Sequence, residues 1–223
     1  GEVDMGAAAV KVTDNVTKTE VDDLRTDTTG NITLTSVTED KADLATINGF
    51  SDVILSTANI TVTDNVDKSE ADTIDAYSDT SGVVTLTSIT DTVANVTAVE
   101  NNANISLDTS TITVTDAASL SDANTIKEFT TAQVTLNSVK DTVSNISSIN
   151  LIDSNDVSMA AAAITVTDAA SLANATAALI LPAAVVIAAV AICCVSIKVL
   201  APPLSKTSEG SDSLPDIFTA VIL

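Results

Sequence analysis

The chain has 223 residues, a formal net charge of −21, no histidine, no tryptophan and 2% aromatic residues. A surface this acidic repels phosphate backbones and excludes nucleic acid as a partner, while the lack of histidine excludes Ser-His-Asp triads, histidine-held haem and His-containing zinc sites. With so few aromatics, the apolar content is Val, Ile, Leu and Ala, which suits thin repeated layers better than one thick core.

In chain order, residues 1–8 are a lead-in and residues 9–176 are an acidic tandem repeat of about 3.3 units. Val-Thr-Asp recurs at 12–14, 62–64, 114–116 and 166–168, so the unit is about 51 residues long. A second string lies between these: NITLTSVTEDKADL from Asn31, VVTLTSITDTVANV from Val83 and QVTLNSVKDTVSNI from Gln133. A third precedes each new unit: DVILS at 52–56, NISLD at 104–108 and DVSM at 156–159. Each unit therefore divides into two half-units.

Each half-unit opens on alternation, as in Ile60-Thr61-Val62-Thr63 or Val84-Thr85-Leu86-Thr87. That pattern predicts a half-buried strand with aliphatics on one face and threonines on the other. Strand columns start near residues 10, 32, 60, 84, 112, 134 and 164. A short helix follows. In the first half-units Thr17-x-x-Glu20, Asp67-x-x-Glu70 and Ser119-x-x-Asp122 are capping-box signatures, and Leu24, Ile74 and Ile126 share the column that such a helix buries. In the second half-units Asp40, Asp91 and Asp141 are expected to be N-caps, where a carboxylate accepts backbone N–H bonds at the positive end of the helix dipole. One coil cannot bury its own aliphatic face, so the fold class expected is an α/β repeat, a right-handed βα solenoid with a parallel sheet. A string of separate βα domains is the alternative, but units this small bury too little to stand alone.

The acidity stops abruptly. Before residue 177 there are 27 acidic and 7 basic residues, and after it 3 and 2. No charge occurs between Ala169 and Ile197, and the heart of that run is AALILPAAVVIAAVAICCVSI, residues 177–197. As a helix it spans about 31 Å, the thickness of a hydrocarbon core, so a single transmembrane helix is expected, with membrane lipid as a partner and residues 198–223 as a C-terminal tail. Cys193 and Cys194 read as small apolar filler within it, with lipidation or redox chemistry as the alternative. Lys198 and Lys206 follow, which places the C-terminus in the cytoplasm and the repeats on the extracellular, periplasmic or lumenal side. GEVDMGAAAV shows no signal peptide, so this orientation implies a removed signal or a first residue that is not the start of translation. No linker separates the last repeat from the apolar run, which predicts a rigid mounting. The tail ends in an apolar stretch, 217–223, that needs a docking partner; other subunits of a membrane complex or copies of the chain itself would supply one.

Few residues point to chemistry. Asp14, Asp64, Asp116 and Asp168 form a column, and stacked carboxylates attract hard cations, which makes them calcium candidates. The same column also reads as strand-end and capping carboxylates, and no DxDxDG loop is present. The pairs Thr33/Thr35, Thr61/Thr63, Thr85/Thr87, Thr113/Thr115 and Thr165/Thr167 would stack into flat hydroxyl rows of the kind that binds ice, or simply line an exposed strand face. Asn-x-Ser/Thr sequons occur at Asn15, Asn31, Asn59, Asn95, Asn104, Asn145 and Asn174. No Gly-rich phosphate loop and no marked carboxylate pair is found, so no catalytic or cofactor-binding residue is assigned and no enzyme is expected.

The stretch ITVTDAASLSDANTIKEFTTAQVTLNSVKDTVSNI resembles the repeats of very long, acidic, Thr/Ala/Asp-rich surface proteins of bacteria, notably marine cyanobacteria. The resemblance covers residues 9–178 and implies a cell-surface or extracytoplasmic structural role. With the apolar run, the expected function is a non-catalytic, membrane-anchored scaffold or accessory subunit of a larger membrane assembly. A surface adhesin or filament component is the first alternative, and a calcium- or ice-binding module the second.

Overall fold

The computed structural model describes residues 5–78, 81–152 and 156–168. Strands and short helices alternate through them: β1 (Val10–Val16), α1 (Lys18–Asp27), β2 (Ile32–Glu39), α2 (Lys41–Asn48), β3 (Val53–Ile54), β4 (Asn59–Val66), α3 (Lys68–Asp75), β5 (Val84–Asp91), α4 (Val93–Glu100), β6 (Ile105–Ser106), β7 (Thr111–Ala118), α5 (Leu120–Ile126), β8 (Val134–Asp141), α6 (Val143–Asn150), β9 (Val157–Ser158) and β10 (Ala163–Val166). The long strands begin within one residue of the columns that alternation marks, and the third string supplies the two-residue strands β3, β6 and β9.

All strands join one parallel sheet in the order β1-β2-β4-β5-β7-β8-β10, with β3, β6 and β9 pairing β2, β5 and β8. Successive long strands are sheet neighbours throughout, each separated from the next by one short helix. The sheet crosses the boundaries between sequence units without a break, which sets aside separate βα domains and is compatible with a solenoid. β1, β4, β7 and β10 carry the Val-Thr-Asp string and are called leading strands here; β2, β5 and β8 are trailing strands.

The aliphatics of both strand types form one core with the helices. Ile60, Val62, Val84, Leu86, Ile112, Val114, Val134, Val96, Ala123 and Ile126 have no exposed surface, and burying each large side chain contributes about 1.5–3 kcal/mol. Alternation holds for two aliphatics and then slips. Trailing strands bury Ile32, Leu34 and Val37 in β2 and Val84, Leu86 and Ile89 in β5. Leading strands make the same change of phase with a bulge: between Val62 and Asn65 the register shifts, so that Thr63 and Asp64 stand opposite the single residue Thr87. The shift recurs between Val12 and Asn15 and between Val114 and Ala117. A bulge adds local twist and re-aims the side chains at it, here those of the Val-Thr-Asp aspartates.

Among the described residues no helix is long and apolar enough to cross a membrane. The expected transmembrane helix, 177–197, and the tail, 198–223, lie outside the described residues, as do Asn174, Cys193 and Cys194.

Candidate functional site: carboxylates between coils

The first amides of a helix have no partner within it and must be capped from elsewhere. The side chain of the N-cap residue reaches the third amide: Thr92 accepts from Asn95 N in α4, and Thr142 from Asn145 N in α6. In α1, α3 and α5 the capping box forms as expected, with Glu20, Glu70 and Asp122 returning to the N-cap amides of Thr17, Asp67 and Ser119.

The amide of the first helical residue is satisfied differently, by a carboxylate of the following coil. The Lys18 amide donates to Glu39 Oε1 at 2.6 Å and that of Lys41 to Asp64 Oδ1 at 3.0 Å. Lys68 donates to Asp91 Oδ2 at 2.9 Å and Val93 to Asp116 Oδ1 at 2.8 Å. Leu120 donates to Asp141 Oδ2 at 2.9 Å and Val143 to Asp168 Oδ1 at 2.9 Å. Every described helix, α1 to α6, is thus tied by its first amide to an acid 21 to 25 residues further on. These bonds are charge-assisted and sit at the positive end of the helix dipole.

The calcium candidates take their place in this ladder. Asp64, Asp116 and Asp168 each cap the helix of the coil before them, and for Asp64 and Asp116 the strand bulges at the acid. Asp14 holds the same strand position on β1, is exposed, and has no hydrogen-bond partner among the described residues. No group of three or more His, Cys, Asp or Glu among the described residues could hold a metal ion.

The expected N-cap column needs correction. Asp40 is an N-cap and accepts from the amides of Ala42 and Asp43, but the N-caps of α4 and α6 are Thr92 and Thr142, not Asp91 and Asp141. In register, Asp91 and Asp141 match Glu39. Each ends a trailing strand and serves two coils: Asp91 Oδ2 takes the Lys68 amide, while Oδ1 takes the Thr92 amide and Asn95 Nδ2, both at 2.8 Å. Asp141 does the same with Leu120, Thr142 and Asn145. Burial alone would raise the pKa of Asp91, but the Lys68 amide, the Asn95 side chain and the Thr92 amide outweigh it and hold the carboxyl below its usual range. For Asp141 the same opposition, burial against the amides of Leu120 and Thr142 and the side chain of Asn145, also ends in a lowered pKa.

The threonines form shorter rows than a flat sheet would give. Register places Thr38, Thr61, Thr85 and Ser106 side by side, and then Thr90, Thr113, Thr135 and Ser158. Each row spans about 14 Å before the stagger ends it. Lys11 and Lys140 stand at the column's ends, opposite Thr33 and Thr165. Thr35 and Thr87 are partly engaged inward, their hydroxyls donating to the carbonyls of Val12 and Val62. Of the sequon asparagines, Asn15 accepts from Ser36 and Thr38, Asn59 from the Val83 amide, and Asn95 and Asn145 donate to Asp91 and Asp141. Asn31 is exposed and Asn104 half-buried.

An open hollow beside α3 is lined by Lys41, Ser69, Glu70, Thr73, Ile74 and Tyr77. Its two charges pair with each other, Lys41 Nζ to Glu70 Oε1 at 2.7 Å. No protein-family model matches the chain, and no curated protein or solved structure matches it either.

Proposed function

We propose that the chain is a non-catalytic structural protein: a right-handed βα solenoid mounted on a membrane by residues 177–197, with the repeats outside and the C-terminus in the cytoplasm. It serves as a scaffold or accessory subunit of a larger membrane assembly. The observation that carries this reading is the use to which the acids are put. The ladder from Glu39 to Asp168 spends its carboxylates on holding one coil to the next, as an architectural element requires. Right-handedness follows from the strong preference of parallel crossovers for that hand. The uncharged run that begins directly after Asp168 supplies the mounting.

The test is to express the full chain, extract membranes with detergent and identify what co-migrates. The reading expects the chain in the membrane fraction, its repeats cut by protease added outside, and companion subunits that are lost when residues 177–223 are deleted. A full-length chain that stays in the aqueous phase contradicts it. A surface adhesin or filament component is the second reading, favoured by the uniform joint between coils, which can be extended without a change of design. Polymerisation of the soluble repeats alone would favour it.

A further inference from the structure

One groove between neighbouring helices is furnished differently from its repeat. The hollow beside α3 has a volume of about 210 Å³ and lies between Lys41, at the start of α2, and the side of α3 that carries Ser69, Glu70, Thr73, Ile74 and, just beyond the helix end, Tyr77. At a spacing of 52 residues, α4 and α5 place Ser121, Thr125 and Ile126 where the hollow has Ser69, Thr73 and Ile74. Lys41, Glu70 and Tyr77, by contrast, give way to Val93, Asp122 and Phe129. Each of these three differences gives the hollow beside α3 a polar group that the later groove lacks or carries on a shorter side chain.

The hollow has a polar end and an apolar end. At the polar end Lys41 Nζ donates to Glu70 Oε1 at 2.7 Å and to the Asn65 carbonyl at 3.2 Å. Glu70 gives its other oxygen to the Asp67 amide. The hydrogen bond between Lys41 and Glu70 raises the pKa of the ammonium and lowers that of the carboxyl, so both stay charged at neutral pH. A pair this exposed contributes little to stability. At the apolar end lie Ile74, 2% exposed, and the ring of Tyr77, half-buried against the core. The Thr73 hydroxyl is committed to the Ser69 carbonyl. The Tyr77 hydroxyl has no hydrogen-bond partner among the described residues.

We propose that this hollow is a binding site for one neutral sugar ring. Charge selects the class of ligand. A chain at −21 repels anions, the Lys41 ammonium repels cations, and the Lys41–Glu70 pair has no net charge of its own. A hydroxyl both donates and accepts, so adjacent ring hydroxyls can donate to Glu70 and accept from Lys41 while the pair stays intact. The C–H face of the ring matches Tyr77 and Ile74, and the free phenol serves a further hydroxyl. The volume is below the roughly 300 Å³ at which sites for drug-sized ligands begin, which limits the occupant to a single ring. The proposal does not rest on the membrane reading.

Tyr77 is the one tyrosine of the chain and tryptophan is absent, so the tyrosine fluorescence of the full chain reports this hollow alone. The experiment titrates the full chain, in a detergent without a sugar headgroup, with glucose, galactose, mannose and N-acetylglucosamine. Glucuronate and protonated glucosamine are the charged controls. At least one neutral sugar is expected to change the emission saturably, and the charged sugars to bind more weakly. Lys41→Met should weaken that binding about tenfold, the loss of one charged hydrogen bond. Lys68→Met, which removes the Lys68–Asp72 pair outside the hollow, should leave it unchanged. Failure of all four neutral sugars to saturate overturns the proposal, as does binding that Lys41→Met leaves unaltered. Glucuronate or glucosamine binding as tightly as the neutral sugars overturns it equally, because the hollow would then not select an uncharged ring.

Discussion

Leading and trailing coils solve one problem by two divisions of labour. In a leading coil two carboxylates share the work: Asp64 caps the helix behind it, and Glu70, inside α3, returns to the N-cap amide of Asp67. In the trailing coils of β5 and β8 one carboxylate does both, Asp91 taking the Lys68 amide behind it and the Thr92 amide of its own helix, whereas in the coil of β2 Glu39 and Asp40 divide the work. The leading strand needs a bulge to aim its acid. The trailing strand has its acid at the strand end and needs none, and it fixes the acid with an asparagine instead, Asn95 or Asn145. The two designs differ in how many donors are orphaned when the acid is lost, and this makes them separable by mutation.

The core does not distinguish them, and its loss is the largest effect. Ile112 in a leading strand and Ile89 in a trailing strand are both at 0% exposure, so Ile112→Ala and Ile89→Ala should each cost about 3 kcal/mol in denaturant unfolding. A large difference between them would mean that the coils are not equivalent layers of one core. The acids come next. Asp91→Ala orphans three donors and should cost about 2–3 kcal/mol, whereas Asp116→Ala orphans the single Val93 amide and should cost about 1 kcal/mol. Equal costs would collapse the distinction between the coils.

Acid tests two of the trailing acids directly. Asp91 and Asp141 have lowered pKa values in the folded chain, so the unfolded state binds protons first as pH falls. Their contribution is complete above the ordinary carboxylate value of about 3.9 and is lost as pH falls through their lower folded values. Unfolding midpoints followed from pH 6 to pH 2 should therefore drop below about pH 4, and less steeply in Asp91→Asn, where one of these groups no longer titrates. The smallest effect is at the surface. Lys41→Met removes the Lys41–Glu70 pair, but both side chains are 39% exposed to solvent, and the midpoint should not move at physiological salt.

Much of the fold was legible because the repeat displays each signal several times. Alternation located every long strand, and Ser119-x-x-Asp122 was readable as a capping box despite its shorter acid. The ladder was not legible as such. Its bonds join residues 21 to 25 apart, a distance at which sequence spacing has no meaning until the length of each coil is known. Adjacent acids at Glu39 and Asp40 also hid the register, because only one of them can match Asp91, and the aspartate is the wrong one. Glu39 reaches across the joint with its longer side chain and leaves the N-cap to Asp40. The bulge at Thr63-Asp64 was masked for a related reason: Ile60, Val62 and Val66 all fall on even spacings, so an unbroken strand and a bulged one read alike.

The central claim, that each coil is pinned by a carboxylate of the next, is tested most directly by amide hydrogen exchange at the first helical residues. The first amides of an uncapped helix exchange freely. Here the amides of Lys68, Val93, Leu120 and Val143 should be protected, and Asp116→Ala should release Val93 alone while leaving Lys68 protected by Asp91. Fast exchange at these amides in the unaltered chain, or an Asp116→Ala variant in which Val93 remains protected, would contradict the account.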